Sequence, residues 1–197
     1  MKKDFYSKNN SEIQRLFFFE TELNSYCEKC KTNNNYYFIN CILEFDLDQI
    51  LEKNNNIGKI KITDLLNKLT KKKGLCECNS DLISTTKFNS FPNYLIIVIQ
   101  HKLKKEVNFE FEMEINLKKY KTDNNKDSYI YKLISFIESY SFKNKDGITI
   151  CNSPENNQWY KYRGIEVKEV KEQQFNNNNY KNVPYLMIYK NNCVDSK

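Results

Sequence analysis

The longest apolar stretch, YLIIVI at 94–99, is hydrophobic at successive positions, as a strand covered on both faces would be. Downstream, VNFEFEMEI at 107–115 places Val107, Phe109, Phe111, Met113 and Ile115 on one side of a two-residue repeat, which predicts a half-buried antiparallel strand. Only one segment carries a clear helical period. In KITDLLNKLTKKKG, Ile62, Leu65, Leu66 and Leu69 fall at i, i+3, i+4 and i+7. Thr63 or Asp64 would cap its start, Lys71 to Lys73 would face its C-terminal dipole, and Gly74 would stop it.

The remaining pattern reads as strand after strand: 15–26, 36–47, 82–89, 94–101, 107–115, 129–138, 146–151, 157–162, 165–170 and 184–190. The expected class is α+β, mostly antiparallel β. Residues 1–13 are polar and read as a frayed N-terminus, and 191–197 as a tail. No internal repeat and no Pro/Gly-rich linker divides the chain. With four Gly and three Pro in 197 residues, Asn and Lys clusters must supply most turns.

Composition changes this picture in two ways. Aromatics reach 14%, with 14 Tyr and 13 Phe, enough for a β-rich core. The chain holds no Ala and is crowded with Asn, Lys, Ile, Tyr and Phe, the bias of AT-rich coding. The tracts NNN at 33–35, NNN at 54–56 and NNNN at 176–179 are therefore read as loop expansions. The same bias tempers the net charge of +6, because the lysines are spread among acids and KKK at 71–73 is the longest basic run. A solvated surface fits this better than a nucleic-acid or membrane footprint. No apolar run reaches the length of a membrane helix, and MKKDFYSKNN has no apolar core behind it. The expectation is an intracellular protein, cytoplasmic or nuclear, whose seven Cys are reduced or metal-bound rather than paired.

Cysteine spacing supplies the first candidate chemistry. Cys27 and Cys30 form C-x2-C, and Cys76 and Cys78 form C-x-C. Two close pairs from separate hairpin tips can give Zn²⁺ four thiolates, so structural zinc is one reading; four unrelated thiols is the other, the C-x-C pair being the weaker half. Cys41 and Cys151 are read as core packing, and Cys193 as a tail residue. The only Trp, Trp159, is read as core. The only His, His101, ends the YLIIVI strand and is read as structural or exposed.

The order of these pieces is a strand, C-x2-C, a long strand, a short helix and a second Cys pair. A TTKF strand, FPNYLIIVI, YKLISFI, NNQWYKY and PYLMIYK follow. In that order they resemble the ubiquitin-specific protease family of cysteine deubiquitinases, from about residue 14 to 190. The resemblance implies a papain-like palm (about 90–190) and a fingers subdomain tipped by a zinc ribbon (about 20–90). It also implies that the helical thumb is missing, since no Gly-Asn-Thr-Cys nucleophile box is found. Gly147-Ile148-Thr149 matches the family's Gly-His pattern, so Ile148 stands where the general base is expected. Arg163 matches the acid or amide that orients that base. Thiolate attack needs a titratable base near neutrality and a group to hold it, and neither Ile148 nor Arg163 can serve.

The resemblance therefore implies a non-catalytic module that binds ubiquitin, a ubiquitin-like protein or a protein partner covering the missing thumb face. The alternatives are a divergent or fragmentary deubiquitinase, and a zinc-ribbon protein binding single-stranded nucleic acid through interleaved Tyr and Lys.

Overall fold

The computed structural model describes residues 11–52, 59–101, 107–122, 129–138, 147–175 and 183–192. The Asn tracts at 54–56 and 176–179, most of the N-terminal segment and Cys193 lie outside them. Two sheets organise the described chain. The smaller runs β2-β1-β5-β4, built from β1 (Phe19–Cys27), β2 (Asn33–Asn40), β4 (Lys71–Leu75) and β5 (Asp81–Phe88). The larger runs β11-β10-β9-β8-β12-β6-β3, with β7 (Glu114–Asn116) also on β8. Its strands are β3 (Leu43–Asp46), β6 (Tyr94–Gln100), β8 (Ile130–Glu138), β9 (Ile148–Asn152), β10 (Trp159–Arg163), β11 (Glu166–Val170) and β12 (Pro184–Asn191). All pairings between these strands are antiparallel except β3 with β6. The mostly antiparallel α+β reading is what the structure contains.

Several segments depart from the sequence reading, each for a physical reason. The first predicted strand begins instead as a helix, α1 (Glu12–Phe17), because Ser11 and Gln14 form a reciprocal capping box at its start. Its Phe17 ring lies 5.9 Å from Tyr94, docking the helix on β6. The predicted strand 36–47 is two strands in different sheets. β2 ends at Asn40, β3 starts at Leu43, and α2 (Leu47–Glu52) follows at once. Asn33–Asn35 is not a loop expansion: it opens β2, and Asn24 Nδ2 donates to Asn35 Oδ1 at 2.8 Å across the sheet.

The periodic helix forms as α3 (Ile62–Thr70), with Ile62, Leu65 and Leu66 buried. Its cap differs from expectation. Asp64 Oδ2 accepts from the Lys61 N–H, and Glu112 accepts from both the N–H and the hydroxyl of Thr63, at 2.8 and 2.9 Å. Lys71 to Lys73 are not the helix end; they begin β4, and Gly74 sits inside that strand opposite Leu82. In 107–115 the alternation correctly marks burial of Val107, Phe109, Phe111 and Ile115. Only β7 and one bridge from Phe109 to Ile60 carry strand pairing there.

One hydrophobic cluster spans both sheets. Phe19 and Phe88 at the root of the small sheet meet at 5.5 Å, and Phe88 stacks on Phe91 at 4.9 Å. Phe91 lies 5.0 Å from Tyr129 and 6.3 Å from Tyr131 of the large sheet. Buried tyrosines satisfy their hydroxyls on backbone carbonyls: Tyr131 donates to Pro92 and Tyr189 to Glu112. A second aromatic group, Phe111, Phe136, Trp159 and Phe175, packs one face of β8, β9 and β10, with Trp159 to Phe175 at 5.0 Å edge to face.

Candidate functional site

Chemistry-bearing residues concentrate in two places, the tip of the small sheet and one end of the large sheet. At the tip, antiparallel pairing of β1 with β5 brings the β1–β2 turn beside the β4–β5 turn. Each turn is a small closed knuckle. The Cys27 N–H donates to Thr32 O at 3.0 Å, and the Cys76 N–H to Ser80 O at 2.8 Å. Lys31 directly after Cys30, and Asn79 directly after Cys78, both take φ of 57°. Left-handed backbone at two non-glycine positions is the cost of folding both knuckles tightly.

All four sulfurs lie within 4.8 Å of one another. Cys27 Sγ is 3.5 Å from Cys78 Sγ, and Cys30 Sγ is 3.6 Å from Cys76 Sγ. A tetrahedral zinc with Zn–S of about 2.3 Å has S···S edges of about 3.8 Å. The pairs therefore interleave across the two knuckles at close to the required spacing, and the shorter C-x-C turn still contributes two sulfurs. Thr32, through its hydroxyl and backbone, holds the Cys30 thiol down to about 6. Burial and the surrounding thiols push Cys78 up to about 12. Four thiolates so close repel one another, and a dication would relieve that repulsion. The donor set fits a structural zinc, and closure of the site by four protein ligands leaves no open position for chemistry.

At the end of the large sheet, the register sets a row of side chains across three strands. Glu138 of β8 pairs with Ile148 of β9. Thr149 pairs with Tyr162, so the next register position sets Ile148 against Arg163 of β10. Ile148 is buried and Arg163 exposed. Opposite residues in an antiparallel pair share a face, so the two positions that the sequence reading singled out are neighbours on one side of the sheet. That face also carries Ile150 and Trp159, and Trp159 is buried.

Glu138, which the sequence reading did not single out, belongs to this row. It is 3% exposed, and Lys161 Nζ lies 3.9 Å from its carboxylate. Burial raises its pKa above the ordinary carboxylate value, and the Lys161 charge works against that rise. The signal was present in YKLISFIE, where Glu138 sits two positions beyond buried Phe136 on the same strand face.

His101 is not part of the row. Pairing of Val98 with Leu186 and of Pro184 with Glu138 puts the end of β6 two strands from β8 and three from β9, roughly 14 Å from Ile148 at ordinary strand spacing. Its Nε2 instead lies 3.7 Å from Asp48 Oδ1 of α2. Cys41 and Cys151 are only half-buried, and Cys151 faces the Tyr162 hydroxyl rather than the core. No helix among the described residues is long and apolar enough to cross a membrane.

The family model described as ubiquitin carboxyl-terminal hydrolase matches residues 1–189. Curated protein sequences yield no match. Among solved structures, the chain superposes on the SAGA DUB module Ubp8/Sgf11/Sus1/Sgf73 bound to monoubiquitin, with TM-score 0.71 and 20% identity over 93% of this chain and 42% of the other. It superposes equally on the same module bound to ubiquitin aldehyde, with TM-score 0.71 and 20% identity over 96% of this chain and 44% of the other. The chain thus spans less than half the length of the chains it resembles, and at this identity the likeness speaks to fold alone.

Proposed function

Because this chain belongs to the ubiquitin carboxyl-terminal hydrolase family, we propose that it acts as a non-catalytic member, a binding module for ubiquitin or a ubiquitin-like protein built on fingers (about 20–90) and palm (about 90–190). The observation that carries the reading is the row Glu138–Ile148–Arg163. A deubiquitinase breaks an isopeptide bond by attack of a thiolate whose proton goes to a neighbouring imidazole. Ile148 has no atom that accepts a proton. Arg163 beside an imidazolium would repel it, where a carboxylate or amide would hold and stabilise it. The strands that would carry these groups are paired and packed, so the scaffold is kept while its ionisable pair is not.

Ubiquitin is the favoured ligand because two of the structures sharing this fold hold ubiquitin or its aldehyde. A protein partner against the palm, where the thumb packs in the family resemblance, is the second occupant of this reading. Zinc at Cys27, Cys30, Cys76 and Cys78 serves structure: it would keep the fingers sheet rigid enough to present a surface.

Two measurements on the zinc-loaded chain test the proposal. Incubation with ubiquitin carrying a C-terminal electrophile should leave the protein without an adduct. NMR titration with ubiquitin should shift resonances within 14–90 and 94–117. A covalent adduct would restore the divergent-deubiquitinase reading, and absence of shifts would leave only the protein-scaffold form.

A further inference from the structure

The five edge strands among the described residues are not equally protected. In the small sheet, β4 (KKKGL) carries three lysines at its edge. In the large sheet, β11 (EVKEV), β3 (LEFD) and the short β7 (EIN) all carry charge. The outer strand β2 is NNNYYFIN, eight residues without a charge or a proline, in a chain that is 28% charged. All but its last residue are exposed, including Tyr36 at 51%, Phe38 at 48% and Ile39 at 48%. Its eight-residue pairing with β1 is regular, with no bulge to twist the edge away. Edge strands present unpaired N–H and C=O groups, and proteins that avoid sheet extension place charge, proline or a bulge there. β2 has none of these devices, while every other edge has charge.

We propose that β2 is an isologous dimer edge, pairing antiparallel with β2 of a second copy of this chain to make one continuous eight-stranded sheet. The absence of charge favours an identical copy: two neutral strands meet without like-charge repulsion, whereas a strongly charged partner strand would gain no counter-charge. Symmetry constrains the register. A two-fold axis perpendicular to the sheet keeps each face continuous, so opposed residues must share parity. Centred on Tyr37, the pairing sets Tyr36 opposite Phe38 of the second copy, twice, on one face. Asn34 meets Asn40 on that same face near the ends, and the other face sets Ile39 opposite Asn35 and Tyr37 opposite its own copy. Aromatic cross-strand pairs are among the most favourable. The inference goes beyond the ubiquitin-binding reading and does not depend on it, since no ubiquitin is present in its test.

Sedimentation velocity of the full zinc-loaded chain, from about 1 to about 100 µM, reads the outcome. A dimer is expected. Phe38→Lys and Ile39→Lys, one on each face of β2, should each raise its dissociation constant at least about tenfold, because each puts a charge at the edge of both copies. Both side chains are about half exposed, so zinc content and the circular dichroism spectrum should be unchanged. Leu75→Lys on the opposite edge, 77% exposed, should leave the dimer intact. A monomer at about 100 µM overturns the proposal, as does a dimer indifferent to both β2 lysines, a dimer equally disrupted by Leu75→Lys, or growth beyond the dimer.

Discussion

Zinc should act on this protein as a clip between two parts of one sheet, and its removal should be felt there first. The informative perturbation is Cys30→Ser, because Cys30 is exposed and the change deletes a ligand without emptying the core. Metal bridging Cys27 and Cys30 to Cys76 and Cys78 closes a loop of roughly 50 residues. Treated as a cross-link, closing a loop of that length reduces the entropy of the open chain by about 4 kcal/mol equivalent at room temperature. That corresponds to roughly a thousandfold change in the population of the opened sheet. The small sheet is otherwise held at its tip by backbone pairing and few buried side chains: Cys27 is buried, while all five residues of β4 are exposed.

Hydrogen exchange read by mass spectrometry is the assay, with zinc content measured in parallel. Peptides covering 19–27, 33–40, 71–75 and 81–88 should lose protection by about three orders of magnitude in Cys30→Ser. Peptides covering 94–100 and 130–138 should change little. Cys27→Ser should do the same and also disturb packing at the buried end of β1. Full retention of one zinc per chain in Cys30→Ser would refute the four-ligand reading. Equal loss of protection in both sheets would refute the clip, since it would make the metal a determinant of the whole fold.

Three further outcomes follow from the large sheet. Glu138 is raised above the ordinary carboxylate value, so its contribution to stability is present at low pH and is lost as pH rises through its folded-state pKa. Glu138→Gln should flatten the dependence of Tm on pH from about 4 upward and, near pH 7, leave the protein no less stable than the wild type. A wild-type Tm that is flat across that range would contradict this. Phe136→Ala removes a fully buried ring that meets Phe111, Trp159 and Phe175, and should cost about 3–5 kcal/mol by denaturant unfolding, with Trp159 fluorescence as the probe. Gly164 takes φ of 56° in the two-residue turn between β10 and β11, and a methyl group on its Cα would meet no atom within 4 Å. Gly164→Ala should therefore cost only the backbone strain, about 1 kcal/mol by the same unfolding measurement.

What was legible in the sequence was whatever depends on short separations. The 3.6-residue period of Ile62, Leu65 and Leu66 marked α3 because one helix face must be buried whatever it packs on. Alternation in 107–115 marked the buried side chains for the same reason, although most of that stretch pairs with no strand. The two cysteine pairs pointed to one cluster that could hold a metal ion because each pair already sits in its own turn. Here local chemistry and final structure agree, as a consistent sequence requires.

The rest was decided by pairing between distant segments, which no local pattern encodes. YYFINCILEFDL is largely apolar, yet Cys41 and Ile42 separate an exposed edge of one sheet from a half-buried strand of the other, and only the partners, β1 and β6, distinguish them. KKK after α3 suits a helix end by its charge, but β5 is adjacent and unpaired on that side, so the chain turns into β4 and satisfies its backbone there. The sequence reading singled out Ile148 and Arg163, fifteen residues apart, through the family resemblance. The antiparallel register of β8, β9 and β10 made them neighbours, and added Glu138 as the buried charge beside them, because a sheet brings together residues by row rather than by order along the chain.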